Sequence, residues 1–380
     1  MKAEQAGQAV QTGRGGQVGQ TGEGGRKAAT RLLAIDNLRI VLTVLVVIHH
    51  VALTYGDIPL WFYVEPAKDP SGRLLDLLVM VDQAFFMGFF FLISGFFTPG
   101  SHDRKGGRGF VRDRLVRLGV PLLVFLLLLR PLVTLGVYAD YAGMPYWKFY
   151  IGSWDPGPMW FVEVLIVFVL AYALWRRLKG PLETRVSVPR ARWIVLFTLG
   201  LSAATFLWRF PVPVGTYVPV LGLPSPFFLP QYVAMFAAGL VAFRRGWFET
   251  LPRRAALLGF LAAALVSATL LPLSFVTDGP VAQALTATWE STFAVGLIVA
   301  LVVWFRERFD HQGPRGRFLS EQAYTVYVIH PLVLVAVGYA LRGLNAAAIV
   351  KFAVATVIAL PLCWGLAYLV RSLPGAKRVL

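Results

Sequence analysis

The chain is poor in charge, in acidic residues, in histidine and in cysteine, and each shortage narrows what it can be. Only 15% of its 380 residues are charged, whereas a soluble domain carries about 25%. That is too little polar surface to cover a body of this size in water. The single cysteine, Cys363, lies in an apolar segment, so no disulfide closes within the chain and a cysteine-rich metal site is excluded. No pair of histidine and acidic residues has metal-ligand spacing on one helix, so no metal is expected. Neither a Walker-type phosphate loop nor a Gly-x-Ser-x-Gly nucleophile elbow occurs.

Apolar sequence is what the chain has in plenty: 57% of its residues are hydrophobic and the mean hydropathy is +0.64. Ten apolar segments approach the length of about 20 residues that crosses a hydrocarbon core. They run near 38–56, 74–98, 117–138, 159–178, 192–209, 228–244, 254–274, 285–304, 318–340 and 346–370. The expected fold is an all-α, polytopic transmembrane bundle of about ten spans. Residues 1–30, rich in Gly, Gln, Thr and Ala, read as a disordered cytoplasmic tail. Residues 31–373 form the membrane domain and 374–380 a short second tail.

A net charge of +16 in a soluble protein suggests nucleic acid, but here it follows from the positive-inside rule. With the first tail inside, the dense basic loops, such as 104–117 and 176–192, alternate with loops holding few cations, among them Lys68, Arg73, Lys148, Arg209, Arg342 and Lys351. That asymmetry places both termini in the cytoplasm, in the plasma or inner membrane. No nucleic acid partner is expected; membrane lipids are.

Ionisable residues inside a bilayer are expensive, and their default reading is functional. Depth follows from the helical rise of 1.5 Å per residue. His50 lies 11 residues beyond Arg39 on the first span, about 16 Å along it. His330, Arg130, Asp82, Glu290 and, slightly higher, Glu163 fall near the same level. Six such residues from six helices must face one another or a wet cavity. His50 is the candidate general base, because imidazole titrates near neutrality. Arg130 pairing with an acid to hold the bundle is an equally good reading of that arginine, and a structural ion pair is an equally good reading of Asp82 and of Glu290. Adjacent helical residues point about 100° apart, so His49 is the spare of the pair. Arg114 and Arg117, spaced i, i+3 on one helical face, form a cationic rim with Arg104, Lys105 and Arg112. Guanidinium groups of this kind bind phosphate bidentately, but on spacing alone membrane topology and attraction to anionic lipid headgroups are the readier reading of the rim. Ser94 before Gly95 reads as a small pair that lets helices approach closely rather than as a nucleophile.

Four segments together resemble the acyltransferase-3 family of integral membrane acyltransferases. They are Asp36-Asn37-Leu38-Arg39 with His50; Phe89-Phe90-Phe91-Leu92-Ile93-Ser94-Gly95-Phe96-Phe97 followed by Arg114 and Arg117; Pro158-Met159-Trp160-Phe161; and Tyr324-Thr325-Val326-Tyr327-Val328-Ile329-His330-Pro331. Met159 stands where the family often has leucine. Trp289-Glu290 and the doubled histidine resemble the branch of glucan-modifying succinyltransferases.

The resemblance implies transfer of an acyl group, acetyl or succinyl, from cytoplasmic acyl-coenzyme A to a hydroxyl of a glycan or lipid-linked sugar. It carries the functional Arg and His over to Arg39 and His50, and the Arg-x-x-Arg element to Arg114 and Arg117. Asp82, Glu163 or Glu290 is expected to orient His50, with Arg130, Tyr327 and His330 in support. No bound cofactor is implied, since acyl-coenzyme A is the donor substrate. The sequence ends at Leu380 soon after the tenth segment, so it is expected to act alone or with a separate partner. The rival reading is a transporter with a buried proton relay, against which the absence of internal symmetry counts.

Overall fold

The computed structural model describes residues 32–141, 143–180, 183–219 and 221–380; the tail read at 1–30 lies outside the described residues. From Leu33 to Leu380 the chain forms one compact unit. Among the described residues there is no named strand, only the isolated bridge between Val218 and Leu223. The helices that matter below are α1 (Leu33–Tyr55), α2 (Gly72–Gln83), α3 (Phe86–Arg114), α4 (Trp160–Lys179), α5 (Ala191–Trp208), α6 (Leu229–Arg245), α7 (Arg253–Phe275), α8 (Gly279–Arg308), α9 (Pro314–Leu341) and α10 (Ala348–Ser372). Backbone polar groups have no water to bond in hydrocarbon, and helices satisfy them internally.

Among the described residues, nine helical stretches are long and apolar enough to cross a membrane. The ten apolar segments fit into these nine because one stretch, Gly72–Val133, is 62 residues long. A straight helix of that length would span roughly 90 Å, three times the hydrocarbon thickness. It breaks at Gly106, whose φ of 70° and ψ of 166° lie outside the helical region. The chain turns back there. His102 and Phe110, eight residues apart, have ring centroids only 5.4 Å apart, and Lys105 reaches Asp113 at 2.6 Å. A positive φ of this kind favours glycine because it carries no Cβ.

Burial ranks the helices. In α1 and α9, 61% of the apolar stretch is buried; in α7 only 11% is. The first two are therefore the centre of the bundle, and α7 shows leucines such as Leu257, Leu258, Leu261 and Leu265 outward, as lipid contact requires. Two crossings depend on glycine. A Cβ on Gly95 of α3 would strike the Phe236 carbonyl oxygen of α6, and one on Gly239 would strike the Leu92 carbonyl oxygen. Gly259 of α7 and Gly296 of α8 meet in the same way. Small residues at such crossings let backbones approach and gain dispersion contact where lipid removes the hydrophobic drive. The Ser94-Gly95 pair thus serves close packing.

Candidate active site

His50 sits on α1 five residues before Tyr55, about 8 Å from that end of the helix. Its Nδ1 lies 2.7 Å from the Val46 carbonyl oxygen, one turn back. A carbonyl only accepts, so the bond puts the ring proton on Nδ1 and leaves the Nε2 lone pair free to take another. The side chain is half-buried. Over it lies Trp61, from the loop joining α1 to α2, with ring centroids 4.2 Å apart.

That loop is tied down at several points. Glu65 N–H donates to the Thr54 carbonyl at 2.7 Å, and Lys351 Nζ meets the Glu65 carboxylate at 2.5 Å. Tyr63 packs at a tilt against Tyr339, with centroids 4.5 Å apart, in space left by Gly338. Asp69 accepts from the Ser71 hydroxyl at 2.5 Å, the Ser71 N–H at 3.0 Å and the Ala348 N–H at 2.8 Å. These donors, the Ser71 hydroxyl foremost, hold its carboxyl below the usual range for aspartate.

His330 enters from α9 and its ring centroid is 4.9 Å from that of His50. Trp61 also stacks on it, at 5.9 Å and 16°. Its placement follows from the residue after it. Pro331 has no N–H, so the Tyr327 carbonyl four residues earlier loses its helical donor. The His330 Nδ1 takes that place at 2.6 Å. His330 is fully buried, and its Nε2 has no hydrogen-bond partner among the described residues. Tyr327 in turn donates its hydroxyl to the Pro158 carbonyl and packs on Phe161 at 6.0 Å; Phe161 packs on Phe91 of α3 at 4.7 Å. A chain of contacts thus runs from His50 through His330, Tyr327 and Phe161 to Phe91, and joins residues singled out from four separate segments.

Among the described residues Asp82, Glu290 and Arg130 do not join that chain; His49 meets the His50 ring edge-on, with centroids 5.2 Å apart. His49 Nδ1 lies 3.2 Å from an Asp82 carboxylate oxygen, without hydrogen-bond alignment, and its ring stacks on Phe86 at 5.0 Å. Asp82 thus faces His49 rather than orienting His50. Glu290 pairs with Arg209 at 2.5 Å, both buried, so it too is turned away from His50; Arg209, expected in a loop, is 1% exposed. Among the described residues Arg130 forms no ion pair with an acid. Its guanidinium donates to the carbonyls of Asp155 at 2.6 Å and of Ser153, and lies over the Tyr150 ring at 4.5 Å. Glu163 is half-buried and stands within electrostatic reach of Asp155 and Tyr327. Depth from helical rise is a single coordinate, and residues at one height lie on different sides of the bundle. Among the described residues no three His, Cys, Asp or Glu side chains converge as a metal site would need.

Toward the starting ends of α1 and α9, Arg39 lies 3.5 Å from Asp36. The Asn37 amide donates to the carbonyls of Phe309 and His311, at 2.6 and 3.0 Å. Arg117 is exposed and reaches Asp113 at 3.3 Å. Arg114 lies over the Phe110 ring at 5.4 Å with its Nε buried and without a partner among the described residues. Tyr324 donates its hydroxyl to the Arg117 carbonyl at 3.0 Å. Tyr324 and His330 are six residues apart on α9, about 9 Å of rise, which is the span between the cationic rim and the histidines. His102, expected to be solvated, is half-buried against Phe110 and Tyr172.

Sequence reasoning missed Trp61 and Arg209. The run Trp61-Phe62-Tyr63 in a short loop was the available signal for the first, since an aromatic cluster beside a span end has nothing to cover unless it covers the span. A family model described as an acyltransferase domain, that of the acyltransferase-3 family, matches residues 32–368. No curated protein matches the chain, and no solved structure does.

Proposed function

The chain belongs to the acyltransferase-3 family, and from that premise we propose that this membrane acyltransferase carries an acetyl or succinyl group from cytoplasmic acyl-coenzyme A to a hydroxyl of a glycan or lipid-linked sugar. The observation that carries the reading is the His50 ring. Its Nδ1 proton is held by the Val46 carbonyl, so its Nε2 is free as a base in a half-buried position. General-base help of this kind contributes about 10²–10⁴-fold.

The donor's phosphates rest on Arg114 and Arg117, whose exposed or partly unpartnered guanidinium groups suit bidentate phosphate binding. Arg39, about half the length of α1 below His50, lies along the donor's path. The acceptor hydroxyl arrives on the Trp61 side, His50 Nε2 takes its proton, and the oxygen attacks the thioester carbonyl. Trp61 supplies an aromatic face of the kind on which a sugar ring packs. A family of acyltransferases gives no support to the transporter alternative.

The test is acyl transfer by protein purified in detergent and supplied with acetyl- or succinyl-coenzyme A. The His50→Ala variant, inserted at wild-type level, is expected to lose at least about 100-fold in rate. Near-normal transfer by that variant would show that His50 is not the base.

A further inference from the structure

The proposed base does not stand alone. His50 and His330, from the two most enclosed helices, share one geometry. Each donates Nδ1–H to a backbone carbonyl, at 2.7 and 2.6 Å. Each therefore presents Nε2 as a lone pair, and the rings lie 4.9 Å apart under one indole. A fully buried nitrogen without a partner, as His330 Nε2 is, is a costly group to keep. The His-Pro dipeptide works toward keeping it in that orientation, since proline frees the carbonyl that holds the other nitrogen.

We propose that His330 is a second catalytic acid–base residue, which receives the acceptor's proton from His50 and delivers it to the departing thiolate. This rests on the thioester reading above. In the first step the acceptor O–H bond breaks, its proton goes to His50 Nε2, and the oxygen lone pair forms the new C–O bond at the acyl carbon. The proton then passes to His330 Nε2. On collapse of the tetrahedral intermediate the C–S bond breaks, its electron pair stays on sulfur, and sulfur takes the proton from His330. One hydroxyl and one thioester become one ester and one thiol. No further reactant is needed, and both imidazoles return to neutrality. Dividing the two transfers spares a single ring from having to reach both the attacking oxygen and the leaving sulfur, which lie on different sides of the acyl carbon.

The test uses the full chain in detergent, with acetyl- and succinyl-coenzyme A as the donors supplied. His330→Gln keeps a donor for the Tyr327 carbonyl and refills much of the space, but cannot carry a proton. It is expected to lower kcat at least 100-fold while KM for the donor changes less than about twofold. His330→Ala is expected to lose as much, and to regain at least tenfold with added imidazole. Pro331→Ala, which returns a backbone N–H to the Tyr327 carbonyl and keeps both histidines, is expected to lower kcat about tenfold with KM unchanged. A merely structural role would raise KM or lower abundance with kcat preserved. Either that pattern or a His330→Gln kcat within threefold of wild type would overturn the proposal. Wild-type protein inert toward both donors would instead sink the thioester reading, and the same assay reveals that before any variant is compared.

Discussion

A buried ion pair is worth less than what is left when half of it is removed. Arg209 and Glu290 meet at 2.5 Å with almost no exposure, and Arg209 also lies over the Phe228 ring at 5.5 Å. Glu290→Gln strands a guanidinium in a medium that cannot solvate it. By the general cost of breaking such a pair, about 3–5 kcal/mol of stability is lost. Replacing both partners by apolar residues, Arg209→Met with Glu290→Leu, is expected to be the milder change. Thermal unfolding of the detergent-purified proteins checks the order. A single variant as stable as wild type would mean that the pair contributes nothing. The same residues mark what the sequence could not tell. The helical rise placed Glu290 and Asp82 near the height of His50, and that height was legible. Their directions were not, because in a helix that is apolar all round no periodicity tells which face turns inward.

At the scale of elements, the crossing of α3 and α6 is the tightest constraint. Gly95→Ala puts a Cβ where the Phe236 carbonyl oxygen stands, and a carbonyl in a helix cannot step aside without moving its neighbours. Gly95→Val is expected to cost more than the about 1–3 kcal/mol of ordinary overpacking, read as a lower melting temperature and poorer membrane yield; an unchanged melting temperature would refute the close crossing. The loop between α1 and α2 offers a pH-dependent counterpart. Asp69 caps the start of α10 through the Ala348 N–H, and Ser71 Oγ accepts from Ile349 N–H at 3.0 Å. Its carboxyl titrates below the ordinary value of 3.8. The stabilisation is therefore complete above that value and is lost as pH falls through the lower, folded one. Asp69→Asn should flatten the acid limb of the melting temperature against pH. If the limb keeps its slope, the cap does not act this way. The Gly95 contact was foreshadowed in the sequence by a small pair inside a run of phenylalanines. The path of the loop over His50 was not, because loop conformation is set by long-range partners such as Lys351 and Tyr339, far off in sequence.

Taken whole, the molecule is a set of helices ranked by enclosure around α1 and α9. Those two start at the same end, since Asn37 bonds the backbone just before α9. Helix α10 returns to that end, where Arg371 donates to the Glu321 carbonyl at 2.6 Å. Leu33 and Ser372 therefore lie on one side, and we propose that this side is the cytoplasm, as the surplus of lysine and arginine in alternate loops favours by the positive-inside rule. A reporter fused after Leu380 is expected to be active only in its cytoplasmic form; an extracytoplasmic signal would contradict the orientation. Span number was nearly legible because length and hydropathy suffice for it. The hairpin at Gly106 was legible only as a basic, glycine-containing gap, since its turn depends on one backbone torsion.

The His330-Pro331 pair has a consequence for how this sequence can drift. If His330 mutates first to a residue that cannot donate there, the Tyr327 carbonyl loses the imidazole bond in the middle of α9. If Pro331 mutates first, the backbone supplies that donor and the imidazole loses its sole claim on the acceptor. Neither codon has a neutral first step, so the two should be inherited as a single unit. A library randomised at both positions should return them together or not at all.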